Sequence, residues 1–115
     1  MSTNPTRPSA SSLDGRRFEG VVLERGKTSG DADTLIFERG QFRSTACDRY
    51  GYGSGPYRAS VAGDSIRFEA ETESAQYGKL RWAGYIRGEK LDGTLTIVRN
   101  GEAVGEKWVV AGETR

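Results

Sequence analysis

The sequence predicts an all-β, single-domain, antiparallel up-and-down (meander) β-barrel of about eight strands. Three observations predict it. Apolar residues recur at every second position through most of the chain. Two-residue reversal signals separate these runs. Four of the turns, taken independently, then place apolar residues opposite apolar residues on one face.

The alternation is plainest in the second half. Ile66, Phe68 and Ala70 alternate with Arg67, Glu69 and Glu71; Leu80, Trp82, Gly84 and Ile86 alternate with Arg81, Ala83, Tyr85 and Arg87. Leu91, Gly93, Leu95 and Ile97 continue the pattern. β-branched and aromatic residues fill these runs, and no window has a helical period, a short helix between Glu73 and Tyr77 being the one local alternative. Asn100-Gly101 is the strongest turn signal, because both residues tolerate the positive φ of a type I′ turn. Gly88-Glu89, Gly63-Asp64 and Arg39-Gly40 are further reversals.

A two-residue turn dictates which residues face each other. Around Arg39-Gly40, Phe37 meets Phe42 and Leu35 meets Ser44. Around Gly63-Asp64, Val61 meets Ile66, Ala59 meets Phe68 and Tyr57 meets Ala70. Around Gly88-Glu89, Ile86 meets Leu91, Gly84 meets Gly93, Trp82 meets Leu95 and Leu80 meets Ile97. Around Asn100-Gly101, Ile97 meets Val104, Leu95 meets Glu106, Gly93 meets Trp108 and Leu91 meets Val110. With a first strand near Arg17, the strands fall at about 16–24, 33–38, 41–47, 56–62, 65–73, 79–87, 90–99 and 103–111. An open sheet of that size leaves two edges, whereas closure removes them. An open β-sandwich is the structural alternative. The expected interior adds Phe18 and Val22 to the residues aligned by the turns.

The 115 residues hold one domain, drawn as a lead-in over 1–15 and a barrel over 16–112. The lead-in is rich in Ser, Thr and Pro and reads as disordered. It has no apolar stretch and does not read as a signal peptide, so the chain as written is expected to be cytoplasmic, or periplasmic or secreted if such a peptide was removed. No apolar run approaches the length that spans a bilayer, so no membrane is expected. Seventeen basic residues against sixteen acidic argue against nucleic acid as a partner. A single cysteine and no histidine exclude an internal disulfide and the usual structural zinc site. No cofactor or metal is expected, nor an enzyme, and the protein is expected to be a monomer.

Glu106 stands out, because the turn register puts a carboxylate on the apolar face. Either it orients a ligand's polar end, or the strand bulges near Gly105 and frees it. If it is buried, Tyr57 and Ser44 are its in-phase polar partners. The Cys47–Tyr57 segment sets Tyr50, Tyr52 and Tyr57 on a glycine-rich backbone, suited either to stacking on a ligand or to folding back over the barrel end. Cys47 falls on the outward phase with no histidine to activate it and reads as packed or idle. Glu69, Glu71 and Glu73 share the outer face near Arg58 and Arg81, where cross-strand ion pairs account for them. Asp31 and Asp33, read as loop residues, are too few for a calcium site.

The pattern Trp82-x-Gly84-x-Ile86-x-Gly88, followed by Leu91-x-Gly93-Thr94 and Trp108, resembles bacterial members of the calycin-like group, which includes lipocalins, avidins and fatty-acid-binding proteins. The likeness covers the last third of the chain in detail and the rest by strand count. It implies a small, mostly hydrophobic ligand held at the barrel mouth, without implying which one. The expected site is Tyr50, Tyr52, Tyr57, Trp82 and Glu106. The alternative is a filled barrel acting as a protein-interaction or structural module through exterior residues such as Tyr85, Val98 and Val109.

Overall fold

The computed structural model describes residues 13–24 and 26–114. Eight strands follow one another: β1 (Arg17–Glu24), β2 (Asp31–Glu38), β3 (Gln41–Ser44), β4 (Ser54–Ala62), β5 (Ser65–Ser74), β6 (Gly78–Arg87), β7 (Lys90–Arg99) and β8 (Glu102–Glu113). Each is antiparallel to the next, and β1 pairs with β8 to close the ring. The up-and-down barrel predicted from the turns is therefore the observed fold, and the sandwich alternative is not.

The reversals have the backbone their residues demand. Arg39 and Gly40 both take positive φ (54° and 75°), as do Asn100 and Gly101 (52° and 81°), the type I′ pattern. At the Gly63-Asp64 and Gly88-Glu89 turns only the glycine does, as a type II′ turn requires. Pairing across the first three hairpins follows the register read from the sequence, from Phe37 with Phe42 to Leu80 with Ile97. The third strand departs from expectation. It stops at Ser44, and Thr45–Tyr50 wind into a 3₁₀ helix. The connection after Glu73 is a turn with no helix.

The fourth hairpin corrects the prediction for β8. Val98 pairs with Ala103 as expected, but Ile97 pairs with Gly105, so Val104 is an extra residue in a β-bulge. Because side chains alternate with period two, one extra residue inverts every later position. Val109 and Ala111 turn inward and are buried, while Val104, Trp108 and Val110, expected inside, are 57%, 36% and 46% exposed. Leu91 accordingly faces Ala111, Gly93 faces Val109 and Leu95 faces Lys107. An eight-stranded ring has a narrow interior; the bulge spares it a second tryptophan and the Glu106 carboxylate. Val61, also expected inside, lies exposed beside the Gly63 turn. Val98, named as exterior, is buried, though outside the main core cluster.

Aromatic rings fill the interior. Phe37 is their hub, with the rings of Phe18, Phe42, Tyr57 and Phe68 centred 5.1–5.9 Å away. Trp82 stands 4.9 Å from Phe42 and donates its indole N–H to Thr72 Oγ1 at 3.4 Å. On β6 and β7, Gly84 faces Gly93; a Cβ on Gly84 would meet the Asp92 carbonyl oxygen at 2.3 Å, so both positions need glycine for the strands to coil this closely.

The lower end, where the 39–40, 63–64 and 88–89 turns lie, is covered by the residues before β1. Leu13 is fully buried and the Gly15 N–H donates to the Phe37 carbonyl at 2.6 Å. Residues 13–15 thus belong to the fold, while the lead-in reading of residues 1–12 lies outside the described residues. Glu113, inward at the same end, accepts two bonds from Arg16, at 3.0 and 2.8 Å.

Two outcomes are expected. Phe37→Ala empties the hub and should cost about 3–5 kcal/mol, read as a lower urea midpoint; a loss below about 1 kcal/mol would show that the core does not rest on this ring. Deletion of Val104 should leave the phase of β8 intact, with cooperative unfolding and a cost within about 2 kcal/mol. Loss of the fold on that deletion would show β8 to be unbulged.

Candidate functional site

The five residues expected at one mouth are not gathered there. Tyr52 is 8% exposed and joins the core cluster near the upper end, where the 3₁₀ helix and the 100–101 turn lie. Tyr50, 47% exposed, sits at that rim, its ring 5.8 Å from Tyr77 and its carbonyl accepting Ser74 Oγ at 2.8 Å. Tyr57 points the other way: its hydroxyl donates to Asp14 Oδ1 at 2.7 Å at the lower end. Trp82 is buried within the ring cluster. Glu106 is exposed on the outer wall, opposite Thr96.

Both proposed partners of Glu106 instead serve other carboxylates. Asp14 accepts the Arg39 and Gly40 N–H groups, each at 2.9 Å, as well as the Tyr57 hydroxyl. The Gly40 N–H chiefly holds the Asp14 carboxyl below its ordinary pKa, and burial followed by the Asp14 bond pushes the Tyr57 phenol up. At the upper end Ser44 Oγ donates to Asp33 Oδ2, and the Ala46 N–H to Asp33 Oδ1 at 3.0 Å. Asp33 is no loop residue. It is a buried, inward position of β2, tying the start of the 3₁₀ helix to the barrel. Its phase was visible two residues before Leu35. Burial raises its pKa above the ordinary value of 3.8, against the three hydrogen bonds that favour the anion.

Cys47 lies on that 3₁₀ helix, half-buried against the core, and burial raises its thiol pKa most. The raised pKa keeps the thiol protonated, away from the nucleophilic thiolate form. Among the described residues no cluster of acidic and cysteine side chains suits a metal ion.

A cleft of about 880 Å³ lies on the outside, across β4–β7. Two cross-strand rows build it. Arg58, Glu69, Ala83 and Thr94 form one, and Glu71, Arg81 and Thr96 the other. Small Ala83 and Thr94 thus lie beside the long charged side chains of β4 and β5, and this step in side-chain length makes the trough. Glu71 pairs with Lys79 at 3.3 Å and Arg81 at 3.7 Å, and Glu69 with Arg67 at 2.9 Å. Smaller clefts of about 500 and 210 Å³ also lie on outer surfaces, the first over β1, β2 and the 3₁₀ helix, the second beside the 39–40 turn. Of the cross-strand ion pairs expected for Glu69, Glu71 and Glu73, only those of Glu71 form among the described residues, and Trp108, assigned to the interior, lies on the outer wall beside Thr94.

No protein-family model, curated protein or solved structure matches the chain.

The raised Asp33 pKa has a definite sign. Between 3.8 and its folded value the native state binds the proton that the unfolded state has released, so stability falls as pH rises through that window. Asp33→Asn removes the titration. Wild-type stability measured against this variant by urea unfolding should therefore decline from about pH 4 upward and then level off. A difference that is flat across the acid range would show the Asp33 carboxyl to be solvated.

Proposed function

We propose that this chain is a protein-interaction module, a filled barrel that holds a segment of a partner polypeptide in the trough on its outer wall. One observation carries the reading: a cleft of about 880 Å³ opens on the outer wall across β4–β7, while Phe18, Phe37 and Phe42 are fully buried in the interior. Its volume falls within the range of about 300–1,000 Å³ usual for binding clefts. A small-residue floor and flanks that include Arg58 and Arg81 suit a recognition surface, where arginine is among the residues that contribute most to affinity. The closed up-and-down ring is compatible with the calycin-like resemblance of the last third of the chain. On our reading the chain is a calycin-like barrel whose own side chains occupy the space where such barrels hold ligands.

A second reading places a small hydrophobic ligand at the upper end. It is favoured by the half-buried Val22, Cys47, Tyr77 and Ile97, which fringe the core cluster, and by the inward-phase, half-buried Lys107.

Selection from a displayed random-peptide library separates the two. The trough reading expects enriched peptides whose affinity drops at least about tenfold in Ala83→Arg, a side chain that fills the floor while leaving the interior untouched. It is overturned if no peptide is enriched, or if fatty acids or aromatic dyes raise the melting temperature of wild type and Ala83→Arg alike but not of Tyr52→Ala.

A further inference from the structure

We infer that the occupant of the trough is an extended stretch of polypeptide carrying one acidic and one basic side chain four residues apart, held by Arg58 and Glu73; this rests on the trough reading above. The charges lining the trough are unevenly satisfied. Glu71 is shared by Lys79 and Arg81, and Glu69 is turned toward Arg67 on its own strand. Arg58 stands opposite Glu69 and therefore lacks it as a partner. Glu73 stands opposite Lys79, which reaches Glu71 instead. Among the described residues Arg58 and Glu73 are in no ion pair, and both are exposed in the cleft lining.

The two uncompensated charges are of opposite sign and lie at different heights along β5. Arg58 is level with Glu69, four residues from Glu73, so the separation is about 13 Å along the strand and about 14 Å once the neighbouring strand spacing is included. An extended chain rises about 3.3 Å per residue and shows residues i, i+2 and i+4 on one side, so its i and i+4 side chains match the span. A helical ligand would need charges about nine residues apart at 1.5 Å per residue. An uncharged glycan would leave both anchors unanswered. Glu71 lies between the two anchor levels on β5, and Ala83 and Thr94 continue the Arg58 row onto β6 and β7, so the segment runs along the side of the small-residue floor.

Fluorescence anisotropy with the full chain tests this against labelled peptides bearing acid-x-x-x-base and base-x-x-x-acid patterns, a neutral control, and a helix-forming peptide with nine-residue spacing. One four-residue pattern should bind, its order reporting chain direction, and binding should weaken with added NaCl. Arg58→Glu and Glu73→Lys should each lower its affinity about three- to tenfold. A peptide with the facing charge reversed should regain affinity for the matching variant, which loss of fold does not produce. Binding that is abolished by Ala83→Arg but unmoved by either charge reversal, or preference for the nine-residue or neutral peptide, overturns the anchor assignment and leaves the trough standing. Binding indifferent to Ala83→Arg overturns both.

Discussion

Closing the sheet into a ring demands that β8 match β7 on one side and β1 on the other, and a single extra residue reconciles the two. With Val104 set out of the ladder, Val109 faces both Gly93 and Val22, and Ala111 faces both Leu91 and Gly20. A Cβ at Gly20 would come within 2.7 Å of the Ala111 methyl, so the seam closes on small groups. The same inversion carries Trp108 and Glu106 to the outer wall, where the indole faces Thr94 and the carboxylate Thr96. Interior packing and exterior relief are therefore two faces of one register.

The ends of the ring are held by carboxylates in different environments. Asp14 is exposed and anionic, bracing the 39–40 turn and the Tyr57 hydroxyl below the core. Asp33 is buried and resists ionisation, tying Ser44 and Ala46 above it. Both carboxylates are thus spent on holding the fold.

Much of this was legible in the residues. Turn chemistry at Arg39-Gly40, Gly63-Asp64 and Gly88-Glu89 gave the pairing of six strands, because a two-residue reversal leaves no freedom in register. Glu106 signalled trouble in the last hairpin, since a carboxylate facing Leu95 was physically implausible, and a bulge near Gly105 was the weighed alternative. The bulge also carries Trp108 and Val110 to the outer wall, which the turn residues alone do not reveal. Asp33, though inside the strand drawn from residue 33, reads as a loop acid unless the inward phase of Leu35 and Phe37 is carried back two residues. The separation of Tyr57 from Tyr50 and Tyr52 was not readable, because the direction in which a side chain leans along a strand depends on the turn it meets, here the Asp14 brace.

The Arg16–Glu113 clasp and the bond from the Thr114 N–H to the Arg17 carbonyl, 2.9 Å, bring the start of β1 and the finish of β8 to one end of the ring. Tension applied between these two points acts across the antiparallel seam rather than along it. The rungs would open one after another, as in a zip, instead of sharing the load in shear. Tethered through these ends, the domain is mechanically compliant, yielding first at the clasp while the Phe37 cluster is still whole.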